Sequence, residues 1–261
     1  MAPSSAILVH GTTKGPESFD AQRELAADFR LVLFARRGYG DRREPPQPPG
    51  EPTANTELGW PVDVPDLIQV MEREGGAHLV GHSYGGPVVA TAASRRPDLV
   101  RSLVLLETAL GPVAAQDEEM RAVMERERAL ADRRLELDAR RFSAEWMAVA
   151  LGAPAEHAQA WIATWDDAFL AAADVTRREA WWGAAPVDLD VLARIDRPKV
   201  VAIGASRPPF GPDTQPRVER IARATAVRIG ARLEVFPGST HFPTMEEPEA
   251  FNALLRRTWT T

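Results

Sequence analysis

The chain has 261 residues, of which 44% are hydrophobic, and this is enough for one large α/β domain with or without a small inserted lobe. Its 31 basic and 37 acidic residues give a net charge of -6 with no basic stripe, which argues against nucleic acid or an anionic membrane as the main partner. Cysteine is absent, so disulfides, cysteine nucleophiles and thiolate metal sites are excluded.

The N-terminal residues run directly into a strand pattern and show no signal-peptide pattern. No apolar run reaches the length of about 18 residues that a membrane-spanning helix needs. We therefore expect a cytoplasmic protein with no membrane partner.

Six short apolar runs, rich in Val, Leu and Ile, alternate with longer helical patterns. This alternation is typical of βα units around a parallel sheet, and continuous apolar character fits strands that are covered on both faces. The expected strands are 6–10, 31–35, 78–81, 102–106, 199–204 and 232–236, and the expected helices are about 18–28, 62–74, 86–96, 213–229 and 247–258.

The interval between the fourth and fifth expected strands, about 90 residues, is too long for one crossover helix. Residues 113–185 have the pattern of several helices, including a charged one at roughly 116–141. We therefore predict a core formed by residues 1–112 and 186–261 and a helical insertion at 113–185.

Five of the seven tryptophans lie in this insertion. Packing between helices and the lining of an apolar pocket both account for them, and the two explanations can hold together for different residues. The candidate substrate-binding residues are Trp146, Trp161, Trp165, Trp181 and Trp182.

The strongest chemical signal is G-H-S-Y-G-G at residues 81–86. It follows an expected strand directly and opens an expected helix, which is the context that a nucleophile elbow requires. Small residues at 81 and 85 permit a tight turn that exposes the Ser83 hydroxyl in a strained conformation, and the helix N-terminus adds a positive dipole nearby. Ser83 is the predicted nucleophile.

His241 is the predicted base, because a serine hydroxyl is a weak nucleophile until a neighbouring group takes its proton and histidine has a pKa near neutrality. It follows the last expected strand, on a loop at the carboxyl edge of the sheet where Ser83 also lies. The other histidines, at 10, 78, 82 and 157, are weaker candidates, and we expect the turn to direct His82 away from the site.

The loop after the first strand reads H-G-T-T at residues 10–13 and contains candidate oxyanion donors. Acyl transfer needs two donors, usually backbone N–H groups. One is expected from Tyr84, directly after the nucleophile, and the other from Thr12 or, with less support, Gly11.

These segments, with G-S-T-H-F-P at 238–243, resemble the α/β-hydrolase superfamily in order and spacing across most of the chain. The resemblance implies a mostly parallel sheet with helices on both faces, and it identifies the helical insertion with the family's cap domain. Only about five residues precede the first strand. We therefore expect the family's N-terminal antiparallel strands to be missing, which leaves a sheet of about six strands.

The acid of the expected triad is not at its usual place. Most of the family has an Asp after the first strand that follows the cap, but Arg207 or Ser206 stands there in this chain, and neither accepts a hydrogen bond from imidazole as a carboxylate does. Glu107, at the end of the strand after the nucleophile strand, is the expected acid. Asp213, farther along the loop after the cap, is the alternative.

A minority of the superfamily carries its acid at the Glu107 position, and among these the chain most resembles the zearalenone-type lactone hydrolases. The similar stretches are 96–107, 203–208 and 235–243, the last of which continues into 247–251. The resemblance implies a glutamate acid and an aromatic-lined pocket in the cap.

We expect a serine hydrolase that cleaves a carboxylic ester or lactone with a largely apolar or aromatic substrate. Thioester or C–C bond hydrolysis on the same triad stays open, as does a non-catalytic ligand-binding member of the fold. A protein that interacts through its Pro-rich segment at 44–52 has little other support. No metal or cofactor is expected; the expected partner is a small-molecule ester or lactone, and a homodimer stays open.

Overall fold

The computed structural model describes residues 3–40, 58–206 and 214–260, and within them six parallel strands form one sheet in the order β2-β1-β3-β4-β5-β6. All six expected strands are present. They are β1 (Ser5–Val9), β2 (Arg30–Phe34), β3 (Ala77–His82), β4 (Val100–Leu106), β5 (Lys199–Gly204) and β6 (Arg232–Phe236). The Pro-rich segment at 44–52, Arg207 and Asp213 lie outside the described residues.

Helices connect these strands and flank them. In chain order the α-helices are α1 (Trp60–Arg73), α2 (Gly85–Arg95), α3 (Gly111–Ala114), α4 (Glu118–Asp132), α5 (Ala139–Leu151), α6 (Ala155–Ala163), α7 (Asp167–Arg178), α8 (Leu189–Arg194), α9 (Thr214–Ile229), α10 (Pro243–Glu246) and α11 (Pro248–Trp259). None of these helices combines the length and the apolar character needed to cross a membrane.

Two expected helices differ from the structure. The segment expected to be helical at 18–28 forms a 3₁₀-helix at Pro16–Ala27, in which Phe19 leaves helical geometry at φ −113° and ψ 18°. The charged helix expected at 116–141 is divided into α4 and α5. The division has a local cause, because Asp138 has extended backbone and its side chain accepts from the Arg141 N–H at 2.8 Å, so that a new helix is capped there.

Alternate residues of each strand enter two hydrophobic clusters on opposite faces of the sheet. In β1, Ile7 and Val9 belong to the cluster that includes residues of α1, α2, α8 and α9, whereas Ala6 and Leu8 belong to the cluster that includes residues of α11. Burial on both faces explains why the strands read as continuous apolar runs instead of alternating patterns.

The helices from α4 to α7 lie between β4 and β5 in the chain and have small apolar clusters of their own, formed around Phe142 and Met147. Their return to the core is held by backbone hydrogen bonds at Leu58, whose N–H donates to Arg178 O at 3.1 Å and whose carbonyl accepts from the Ala180 N–H at 2.9 Å. The insertion is therefore packed internally and is tied to the core at its end.

Candidate active site

The turn between β3 and α2 presents Ser83 in a left-handed conformation, with φ 52°. Its N–H donates to Leu106 O at 2.9 Å, and its carbonyl accepts from the Gly86 N–H at 2.9 Å. At Gly85 an added Cβ would lie 2.2 Å from Val9 O, so no side chain fits there. The chain thus turns sharply under strain, as expected of a nucleophile elbow.

His241 and Glu107 are in direct contact, with 3.0 Å between His241 Nδ1 and Glu107 Oε2. The other carboxylate oxygen of Glu107 accepts from the Gly204 N–H at 2.6 Å. An ionised carboxylate only accepts hydrogen bonds, so this contact places the imidazole proton on Nδ1 and leaves Nε2 able to accept one. Glu107 also has a left-handed backbone, with φ 52°, which the sequence did not indicate.

Ser83, Glu107 and His241 border one cavity, so the structure brings the three predicted residues together. Their roles as nucleophile, acid and base stay predictions. At the family's usual acid position, Ser206 donates its N–H to Ser239 O at 3.1 Å, while Arg207 and the alternative acid Asp213 are outside the described residues.

The loop after β1 is held by a buried histidine and a buried arginine. Burial, with the charge of Arg36, lowers the pKa of His10 to about 3, so His10 is neutral. Its Nε2 accepts from the Arg36 N–H at 3.1 Å, and its Nδ1 therefore donates to Gly11 O at 2.8 Å. Arg36 Nη1 donates to the same oxygen at 2.8 Å.

These contacts orient the Gly11–Thr12 peptide. In a trans peptide the N–H points opposite to the carbonyl, so fixing Gly11 O against Arg36 directs the Thr12 N–H the other way. Thr12 and Tyr84 both border the cavity, and within the described residues neither backbone N–H donates a hydrogen bond. Gly11, the other candidate donor, leaves no room for a side chain, because a Cβ there would lie 2.7 Å from Ser83 Cβ. The oxyanion roles of Thr12, Tyr84 and Gly11 stay predictions.

His82 was expected to point away from the site, but it borders the cavity and contacts the loop that carries His241. Its Nε2 lies 2.8 Å from His241 O, and the centroids of the two rings are 4.9 Å apart. Burial lowers the pKa of His82 to about 3, so the ring is neutral and donates from Nε2. The sequence indicated a polar residue beside the nucleophile but not its contact with the loop after β6.

The cavity has a main part of about 250 Å³ and an adjoining lobe of about 150 Å³, which share Ser83 and Glu107 in their walls. All five predicted tryptophans border it: Trp146, Trp161, Trp165, Trp181 and Trp182. Trp146 and Trp165 also pack against the apolar cluster around Met147. These two residues therefore both line the cavity and pack between helices, which the sequence analysis had left open. Substrate binding by these rings stays a prediction.

A buried ionic group that the sequence did not reveal lies beside the loop after β1. Arg36 is fully buried; its Nε donates to Asp63 Oδ2 at 3.0 Å and its Nη2 pairs with Glu179. Burial by itself lowers the pKa of Arg36, but the carboxylates of Glu179 and Asp63 outweigh it and keep the guanidinium charged. The guanidinium also lies over the Tyr84 ring, 4.3 Å from its centroid.

Known proteins share this architecture. The family model of the Alpha/beta hydrolase family matches residues 6–254. Over 102 residues, 39% of this chain, the sequence is 32% identical to the 2-(acetamidomethylene)succinate hydrolase of Mesorhizobium japonicum (strain LMG 29417 / CECT 9101 / MAFF 303099), and the match spans only 34% of that relative's length.

Two solved structures show the same fold along nearly the whole chain. An alpha/beta hydrolase from Sphaerobacter thermophilus DSM 20745 superimposes with a TM-score of 0.68 and 20% identity, over 99% of this chain and 94% of that one. A malate-bound thermophilic esterase from Thermogutta terrifontis superimposes with a TM-score of 0.60 and 26% identity, over 98% of this chain and 89% of that one. With the family match, these similarities confirm the predicted α/β-hydrolase fold with its six-stranded parallel sheet.

Proposed function

The chain belongs to the alpha/beta hydrolase family, and we propose that this hydrolase cleaves a carboxylic ester or a lactone through an acyl intermediate on Ser83. The observation that supports the proposal most is the 3.0 Å contact between His241 Nδ1 and Glu107 Oε2 on the cavity that Ser83 also borders. In the proposal Ser83 is the nucleophile, His241 is the base and Glu107 is the carboxylate that orients the base, which is the set that acyl transfer requires.

In the proposed mechanism, Ser83 Oγ attacks the carbonyl carbon while its proton passes to His241 Nε2. The N–H groups of Tyr84 and Thr12 stabilise the charge that develops on the carbonyl oxygen. His241 then protonates the leaving alcohol, and a water molecule that gives its proton to the same imidazole releases the acyl group. With a lactone, the alcohol stays attached to the acyl group, so the product is one hydroxy acid.

The proposed substrate is a small, largely apolar or aromatic ester or lactone. The tryptophans of the cavity wall support this, since aromatic rings provide large apolar contact areas. In this proposal residues 113–185 act as a cap over the core formed by 1–112 and 186–261. The contact between Glu107 and His241 and the aromatic residues of the cavity wall also support the proposed resemblance to zearalenone-type lactone hydrolases.

A fluorophosphonate probe and a panel of p-nitrophenyl esters, aliphatic lactones and macrolactones test the proposal. We expect the probe to label the wild type, and Ser83→Ala to lose both labelling and turnover. Ser143→Ala is the matched control, because Ser143 also borders the cavity and should leave labelling intact. Undiminished turnover by Ser83→Ala would refute the assignment.

The same panel separates the alternatives on this triad. It should include a thioester, a vinylogous diketone with a cleavable C–C bond, and 2-(acetamidomethylene)succinate, the compound that gives the Mesorhizobium relative its name. We expect an ester or lactone to have the highest kcat/KM. Labelling of Ser83 without turnover of any member would instead support a ligand-binding protein.

A further inference from the structure

A carboxyl group on α4, outside the proposed triad, is buried in the wall of the cavity. Glu127 lies on the inner face of α4 with Val123, Met124 and Leu130, and it is 6% exposed. It borders both the main part of the cavity and the adjoining lobe. Burying a carboxyl group is costly unless hydrogen bonds compensate it, and an apolar residue at this position would pack at no such cost. The position therefore calls for a polar partner.

Hydrogen bonds within the protein meet this need only in part. Trp182 Nε1 donates to Glu127 Oε2 at 2.9 Å. The indole N–H groups of Trp182 and Trp181 both lower the pKa of this carboxyl group. Burial raises the pKa of Glu127 to about 7, against the effect of these two N–H groups. Trp181 Nε1 is nevertheless buried without a partner in hydrogen-bond geometry among the described residues. Because protein covers that nitrogen, a ligand on this wall meets the carboxyl group of Glu127, which borders both parts of the cavity.

The charged side chains of the cavity wall influence which substrate group can bind beside Glu127. Arg217, on α9, borders the main part and is 9% exposed, and its positive charge lowers the pKa of Glu127. Its Nη2 is engaged with Ala150 O at 2.9 Å. A neutral hydroxyl suits this wall because it can donate to Glu127 without adding a net charge near Arg217.

We infer that Glu127, held by Trp182, forms a subsite for a substrate hydroxyl remote from the scissile carbonyl: the hydroxyl donates to the carboxyl group of Glu127. This inference rests on the proposed function and narrows its substrate class to hydroxylated esters or lactones. Glu127 is then a specificity-determining residue and takes no part in proton transfer at the carbonyl.

Two matched ester series test the subsite. One carries a hydroxyl at the far end of the acyl chain and the other at the far end of the alkoxy chain, each with its unsubstituted partner and over increasing chain length. At the best length we expect wild-type kcat/KM to favour the hydroxylated member by about tenfold. Glu127→Leu should bring this ratio close to one, and Trp182→Phe, which removes the N–H that holds the carboxyl group, should lower it about threefold. Glu127→Gln, which keeps an acceptor oxygen, should retain most of it.

The matched control is Glu125→Gln, because Glu125 is exposed on the same helix and should leave the ratio unchanged. A wild-type ratio near one at every length overturns the inference, as does an unchanged ratio in Trp182→Phe. The second variant keeps the test decisive if Glu127→Leu does not fold, which a thermal melt will show.

Binding to Ser83→Ala separates this inference from the proposed function. With turnover removed, calorimetry on the same ester pairs should give a Kd about tenfold lower for the hydroxylated member, and Glu127→Leu in that background should abolish the difference. If the Kd values of the two esters differ as expected but the wild type hydrolyses neither ester, the proposed function is wrong and the inferred subsite is supported. If the wild type hydrolyses both esters alike and the two Kd values are equal, only the subsite fails.

Discussion

The carboxyl edge of the sheet and the helical insertion form two walls of the same cavity by different means. At the sheet edge, Ser83 and Glu107 follow adjacent parallel strands and are fixed by backbone hydrogen bonds to Leu106 and Ala202. In the insertion, Glu127 and Trp146 reach the cavity from amphipathic helices. The positions of those side chains depend on how the helices pack.

Because of this difference, we expect the sheet edge to serve the chemical step and the insertion to serve substrate selection. Hydrogen bonds between the backbones of neighbouring strands hold side chains in one geometry, as bond formation requires. Packed helices, by contrast, can accommodate side chains of different shape without a change of fold. We therefore expect substitutions at the sheet edge to lower kcat with little change in KM. Substitutions in the insertion should change KM and selectivity with little change in kcat.

The largest effect is expected from Glu107→Gln. The amide keeps the shape of the side chain but removes the charge that stabilises the imidazolium and selects its tautomer, so kcat should fall by about 10³- to 10⁴-fold with KM changed less than about threefold. Steady-state kinetics on the best ester measures it, and Glu249→Gln, exposed on α11, is the control. A normal rate would remove Glu107 from the triad.

Arg36→Met tests the connection between the two regions. Arg36 and Asp63 belong to the core, and Glu179 lies where the insertion returns to it. Removing the guanidinium leaves two buried carboxylates without their cation, so the free energy of unfolding should fall by about 3–5 kcal/mol. Urea unfolding measures it.

The control for that variant is Arg37→Met. Arg37 pairs with Asp66 on the surface, with 47% of its side chain exposed, and its loss should cost less than about 1 kcal/mol. Equal losses in the two variants would show that the buried group does not join the regions.

The sheet edge could be predicted because its geometry is encoded locally. The motif around Ser83 dictates a turn, and parallel strands end at one edge, so Glu107 and His241 were expected near it. The contact of His82 with His241 O could not be predicted, because it depends on how the loop after β6 folds back.

The insertion was predicted only in outline. Its charged residues continue a helical pattern through the end of α4, and the cap formed by Asp138 is the sole local sign of the break. Glu127 could not be distinguished by sequence from its exposed neighbours Glu125 and Arg128, since only packing buries it. Arg36, Asp63 and Glu179 come from three distant segments, so no local pattern linked them.

His82→Phe probes how the base is positioned. The ring is kept but the N–H that holds His241 O is lost, so we expect kcat to fall about tenfold with KM unchanged. His82→Gln, whose amide N–H can occupy the same place, should restore most of the rate. With its pKa lowered to about 3, His82 does not titrate near neutrality, so the pH dependence of kcat should keep its midpoint in both variants. A shifted midpoint would mean that His82 takes part in the titration of the base.

The smallest effect is expected at Trp161, on the insertion. The residue is 49% exposed, and its ring lies edge-on to that of Trp165, with 5.6 Å between the ring centroids. A half-exposed ring gains only part of the free energy of full burial when a ligand covers it, so Trp161→Ala should raise KM about threefold for apolar esters and leave kcat unchanged. Trp161→Phe should restore most of the affinity. If kcat falls instead while KM stays constant, the insertion contributes to the chemical step, and the assignment of chemistry to the sheet edge and selectivity to the helices is wrong.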